Sequence, residues 1–266
     1  MRIAVSEQRL FIYGVKTKLI HQGDDLVETA VNGAALAGNP IRNGDVVVYS
    51  AKAVGAAQGR LVNLSKVVPS DEALKLSKLY HLHPSFAEQI VKEADSIVGG
   101  VNHAVLTLKR GILVPNAGID QSNAPIGYVA LWPKDPQTSA EEIRAVFQRR
   151  GMDIGVLVID SWVLPLRIGS SAVTLGVAGF SPVVDLRGTA DLFKRKMRLK
   201  RIAVADSLAS AANMVMGETV ESTPIAVVRD AGVIFEEGHT ADELLMPATD
   251  CLIMHILNKI RNEKKK

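Results

Sequence analysis

The chain has 266 residues, 47% of them apolar and 22% charged, with a net charge of +3. That composition excludes a disordered chain and a disulfide scaffold, and a single cysteine fits a reducing cytosol. MRIAVSEQRLFIYG lacks the basic start and cleavage site of a signal peptide, and no run approaches ~20 apolar residues. A soluble, cytoplasmic protein with no membrane partner is the expectation.

In chain order, Asp24 to Leu36 carries the apolar spacing of a helix, and VVVYSAKAV (Val46 to Val54) reads as a strand. Ser70 to His81 is the second predicted helix. HAVLTL (His103 to Leu108) and GILVPN form the arms of a hairpin turning at Lys109-Arg110-Gly111. The stretch from Trp132 to Thr138 is the expected joint between an N-terminal part, 1–131, and a C-terminal part, 132–266; one continuous domain is the alternative. Beyond it, Thr138 or Ser139 is predicted to cap a helix over Ser139 to Arg149. IGVLVID (Ile154 to Asp160), AVTLGVAGF and PIAVVR read as strands, and Ala205 to Met216 as a helix. CLIMHILNKI looks helical, with Cys251 as a core thiol rather than a nucleophile. Strands that follow one another without a helix between them exclude a doubly wound sheet, so the fold class is mixed α/β, or α+β.

Two aspartates stand at strand ends. In GILVPNAGIDQSNAPIG a strand runs into a loop with Asp120, Ser122 and Asn123, whose oxygens suit Mg²⁺ or Mn²⁺. The same residues also suit an Asx turn that satisfies its own backbone. IGVLVIDS ends in Asp160 and Ser161, placed to hold a metal in a crevice or to cap the next element. Ala205, Asp206 and Ser207 open a small-residue helix, which suits either a phosphate seat or close packing. Arg167 and Arg187 offer guanidinium forks for carboxylate or phosphate, with internal Asp–Arg pairing as the competing role. KRKMRLKR (Lys194 to Arg201) and the tail Lys264 to Lys266 are read as solvated, without a nucleic-acid partner. The six histidines show no zinc spacing, and no P-loop, nucleophile elbow or dinucleotide fingerprint occurs.

Several segments together resemble the coenzyme F-420:L-glutamate ligase family. They include GDVVVYSAKAV, QGR, GILVPNAGIDQSN, LWPKDPQTSAEEIR, GVLVIDS, AVTLGVAGFSPVVDLRGTADL, VADSLASAANMVMGE and PIAVVR. The resemblance implies a two-domain ligase-like fold, forming an intertwined homodimer with grooves at its interface. It implies a reaction in which GTP and a divalent metal join L-glutamate to the deazaflavin precursor F-420-0 through γ-glutamyl amide bonds. The acceptor carboxylate is phosphorylated, and the glutamate amine attacks the acyl phosphate. On this resemblance Asp120, Asp160 and Ser161 take the metal. Asn123 and the Ala205-Asp206-Ser207 turn meet the nucleotide, while Arg167 and Arg187 match the family's arginines.

The chain departs from the family where chemistry is expected. A phosphate-facing lysine becomes Ala56, a glutamate becomes Gln58, a Gly-Arg pair becomes Val163-Leu164, and a metal glutamate becomes Ser207. Lys52 or Lys16 is the expected substitute for the lysine. The alternatives are a same-mechanism amide ligase for another carboxylic acid, or a non-catalytic ligand-binding homologue.

Overall fold

Runs of β-branched residues build the central sheet of the computed structural model, which describes residues 9–256. Its strands lie in the order β1 (Phe11–Val15), β12 (Ile225–Arg229), β2 (Val46–Ser50), β8 (Gly155–Val163) and β9 (Ser170–Ala178). Within it β2 and β8 run parallel and the other neighbours antiparallel. Val46 to Tyr49, Val156 to Ile159 and Ile225 to Val228 are all buried, so the middle of the sheet is covered on both faces.

Helices α1 (Leu26–Leu36), α2 (Ala51–Ala57) and α5 (Pro136–Arg149) cover one face, around a core that includes Tyr49, Trp132 and Phe147. Helix α6 (Val204–Met216) covers the other through Ala205, Leu208, Ala209, Ala212 and Met216. That spacing is one helical stripe, and its small side chains let the helix lie close against Leu157 and Val177. A third core gathers Leu76, Phe86, Ile90 and Val105. It lies among α3 (Asp71–Tyr80), α4 (Pro84–Glu93) and the sheet of β4 (Ser96–Val101), β5 (Ala104–Lys109) and β6 (Ile112–Pro115). Two short ladders complete the fold: β3 (Leu61–Asn63) with β7 (Tyr128–Ala130), and β10 (Val183–Asp185) with β11 (Arg201–Ala203). Among the described residues no helix is long and apolar enough to cross a membrane.

Four expectations are corrected. The strand expected over Val46 to Val54 stops at Ser50, whose hydroxyl accepts from the Ala53 N–H at 3.2 Å and starts α2. Helix α5 begins three residues before Ser139, because Asp135 caps it by accepting from Thr138 N–H at 3.0 Å. Pro136 sits in its first turn, where a missing N–H breaks no bond. Helix α4 is not anticipated from the sequence; Pro84 opens it in the same way. Cys251 is half-buried rather than a core thiol. The rest of its predicted helix, residues 257–260, and the tail Lys264 to Lys266 lie outside the described residues.

Candidate active site

The parallel pairing of β2 and β8 sets Ser50 opposite Ile159. Asp160, expected at the strand end, instead lies inside β8, which runs on to Val163 paired with β9. It sits one residue past the end of the pairing with β2, beside the first turn of α2, where Lys52 stands. A loop from the third core brings the second aspartate. Asn116, Ala117 and Gly118 take consecutive left-handed conformations, folding the chain back after β6. A side chain at Gly118 would collide with the Trp132 ring, so this turn requires glycine. Asp120 is then pinned by paired backbone bonds with Ala130, at 3.1 and 2.8 Å.

Lys52 joins these pieces. Its Nζ donates to Asp120 Oδ2 at 2.6 Å and to Ser122 Oγ at 3.2 Å. The Ser122 N–H and hydroxyl both donate to Asp120, each at 2.7 Å. Burial works against the Lys52 charge, but the hydrogen bond and attraction of Asp120, with Asp160 and Glu218 adding to it, raise its pKa. Burial likewise opposes ionisation of Asp120, yet Lys52 and Ser122 hold its carboxyl below the usual range. Asp160 shows the opposite balance. Burial pushes its pKa up to about 6, against a hydrogen bond from Trp132 and the field of Lys52. Trp132 Nε1 donates to Asp160 Oδ2 at 2.6 Å.

The cluster opens on a cavity of about 550 Å³ whose walls include Lys52, Ala56, Asn123, Asp160, Ser161 and Glu218. Lys52 and Ala56 lie four residues apart on α2, hence on one face. Lys52 thus supplies the cavity with positive charge one turn before the position where the family resemblance places a lysine. Asn123 also lines the cavity and donates to the Glu218 carbonyl at 3.4 Å.

Other candidates stand apart. Asp206 accepts from the Thr174 N–H at 2.9 Å, and burial raises its pKa. Ala205 is fully buried in the second core, and the Ser207 hydroxyl donates back to the Ala203 carbonyl at 2.9 Å. Arg187 is paired with Asp185, the internal pairing that the sequence also allows. Arg167 is exposed on the turn between β8 and β9. Gln58 points away from the cavity, donating to Ser139 Oγ at 3.0 Å and accepting from the Lys134 N–H at 3.1 Å. Sequence reasoning missed Trp132 and Glu218. A tryptophan in LWPKDP reads as core, and only the fold reveals its N–H on Asp160.

The donor chemistry fits a small hard cation. Asp120 and Asp160 supply carboxylate oxygens, and Lys52, paired with Asp120, offsets one of their two negative charges. Among the described residues no three His, Cys, Asp or Glu side chains form a complete metal cage. Mg²⁺ suits such a site, since it commonly takes one or two carboxylates and fills its octahedron with water and substrate oxygens.

The fold and the cluster define a mixed α/β protein with a carboxylate–lysine centre at the ends of its parallel strand pair. The family described as F420-0:Gamma-glutamyl ligase matches residues 14–230. A coenzyme F420:L-glutamate ligase of Methanopyrus kandleri is 37% identical over 212 residues, 79% of this chain and 82% of its own. Its counterpart in Methanothermobacter thermautotrophicus is 35% identical over 213 residues, 79% of this chain and 84% of its own. The one in Methanosarcina mazei is 27% identical, covering 94% of this chain and 96% of its own. The chain belongs to the F420-0:gamma-glutamyl ligase family, and it is a carbon–nitrogen bond-forming ligase.

Proposed function

We propose that this protein joins L-glutamate to the carboxylate of F-420-0, using GTP and Mg²⁺ or Mn²⁺, as a homodimer. Lys52 and Asp160 on one cavity wall, with Asp120 bonded to Lys52 behind it, carry this reading. An acceptor carboxylate oxygen attacks the terminal phosphorus of GTP, and the bond to the bridging oxygen breaks to release GDP. The free glutamate amine then attacks the acyl carbon, and phosphate leaves with the electron pair of the acyl C–O bond. The nitrogen loses a proton to solvent, closing the amide. Asp120 and Asp160 would hold the metal, which when bound would supply Lewis acidity toward the phosphoryl oxygens.

The chain's own groups order the charges. Lys52 offsets the charge of phosphoryl oxygens that enter the cavity, and Asn123 offers an amide in the same cavity. Ser122 fixes the Asp120 carboxylate with two hydrogen bonds, so its free lone pairs keep one direction. Ala53, Ala56 and Leu61 give the wall an apolar stretch beside these polar groups.

The test is GDP release measured with each substrate omitted in turn. Release should require F-420-0, and Lys52→Met should lower kcat/KM by about 10²-fold. Release that needs a different carboxylic acid would transfer the mechanism to another acceptor. Binding of GTP and F-420-0 without release would make the chain a ligand-binding homologue, a role that Ala56 in the cavity wall also suits.

A further inference from the structure

We infer that Trp132 is a positioning residue that biases Asp160 toward one-oxygen coordination and so selects small octahedral cations over Ca²⁺. The inference rests on the reading of Asp160 as a metal ligand. Trp132 is 1% exposed, and its indole N–H donates to Asp160 Oδ2 at 2.6 Å. An indole nitrogen donates and does not accept, so this bond favours the ionised carboxylate and takes one lone pair of Oδ2.

The indole cannot easily turn away. One edge lies against Gly118, where a Cβ would strike the ring. Lys109 Nζ stands 5.0 Å from the ring centre, and is itself held by Glu93 at 2.7 Å and by the Ala117 carbonyl at 3.1 Å. Arg60 fixes the backbone, donating from Nε to the Trp132 carbonyl at 3.0 Å and from a terminal nitrogen to Glu93 at 2.9 Å. Glu93 thus links α4 in the third core to the ring that orients Asp160.

Ca²⁺ takes six to eight oxygens and readily accepts a carboxylate through both of them, whereas Mg²⁺ and Mn²⁺ accept one oxygen in a tight octahedron. With one lone pair of Oδ2 taken by the indole, Oδ1 is the better-disposed oxygen for a cation, and two-oxygen binding is disfavoured. Partners behind a metal ligand commonly change affinity by about 10- to 100-fold.

The experiment titrates Mn²⁺ and Ca²⁺ separately into wild-type, Trp132→Phe and Asp160→Asn proteins, following bound Mn²⁺ by electron paramagnetic resonance and heat by calorimetry. Trp132→Phe should weaken Mn²⁺ about tenfold while leaving Ca²⁺ unchanged or tighter, so the preference for Mn²⁺ shrinks by about tenfold. Equal weakening of both ions, or no change in either, would overturn the positioning role. Asp160→Asn separates the two claims. If it leaves Mn²⁺ affinity intact, the ligand assignment itself fails. A second readout avoids the ring substitution. In ¹⁵N-labelled wild-type protein the two tryptophans give two indole N–H signals, assigned by Trp162→Phe. Mg²⁺ should move the Trp132 signal and leave that of Trp162, which donates to the Leu113 carbonyl, nearly still. Equal movement of both signals, or none in Trp132, would overturn the inference.

Discussion

Burial lifts the Asp160 carboxyl to about 6, while Trp132 and Lys52 pull it back. A carboxyl whose folded pKa exceeds its unfolded value of 3.8 binds its proton more tightly in the native state. Its contribution to stability is therefore largest at low pH and is lost as pH rises from about 4 through about 6. The ionised form is the one that coordinates a cation. Mn²⁺ affinity should accordingly fall as pH drops through 6, visible by calorimetry at pH 5 and pH 7. Asp160→Asn should raise the thermal midpoint at pH 7 more than at pH 4 while removing activity. A midpoint lowered equally at both values would show that the carboxylate is not held under this burial stress. The residue scale is only partly legible in the sequence. Asp120 and Asp160 are visible as acids following apolar runs, but β8 continues past Asp160 to Val163, and the link from Lys52 to Asp120 spans 68 residues and needs the fold.

At the scale of elements, termini are legible where a side chain caps its own helix. Asp25 and Ser70 mark α1 and α3 within two residues of expectation. Boundaries fail where one signal serves two elements, as at Ser50, which ends β2 and caps α2. The 3₁₀ turn Ala241–Leu244 offers a test of local electrostatics. Thr240 and Glu243 form a reciprocal capping box, and His239 Nδ1 lies 2.9 Å from the same Glu243 carboxylate. Glu243 chiefly, with Glu236, raises the His239 pKa. A raised histidine stabilises the fold fully below its unfolded value of 6.5 and ceases to do so as pH climbs through the folded value. Chemical denaturation should show His239→Ala destabilising the protein at pH 5.5 and nearly neutral at pH 9. A loss of equal size at both values would assign the residue to packing alone.

At the scale of the whole molecule, the sheet is closed by a charge pair that sequence separation hides. Asp45 is 1% exposed and accepts from Arg229 Nε and a terminal nitrogen at 2.9 and 2.8 Å, across 184 residues. Removing one partner of such a pair leaves a buried charge and costs about 3–5 kcal/mol. Arg229→Ala, which strands the buried Asp45, should lose that much in urea unfolding, and a loss under ~1 kcal/mol would show the pair to be incidental. The same sheet sets β2 beside β8, and that single parallel pairing brings Lys52 to Asp160. Alternation of strands and helices discloses the fold class, because burial on both faces leaves continuous apolar runs. It cannot disclose which strands pair, since Val46 to Tyr49 and Ile225 to Val228 present equally apolar edges. The central claim is that this arrangement forms γ-glutamyl amides. Mass spectrometry of F-420-0 incubated with GTP, L-glutamate, Mg²⁺ and the purified protein tests it most directly. The account predicts a product heavier by at least one glutamyl unit, GDP in equal amount, and neither with Asp120→Asn. Unchanged F-420-0 in the presence of protein that binds both GTP and F-420-0 would contradict it.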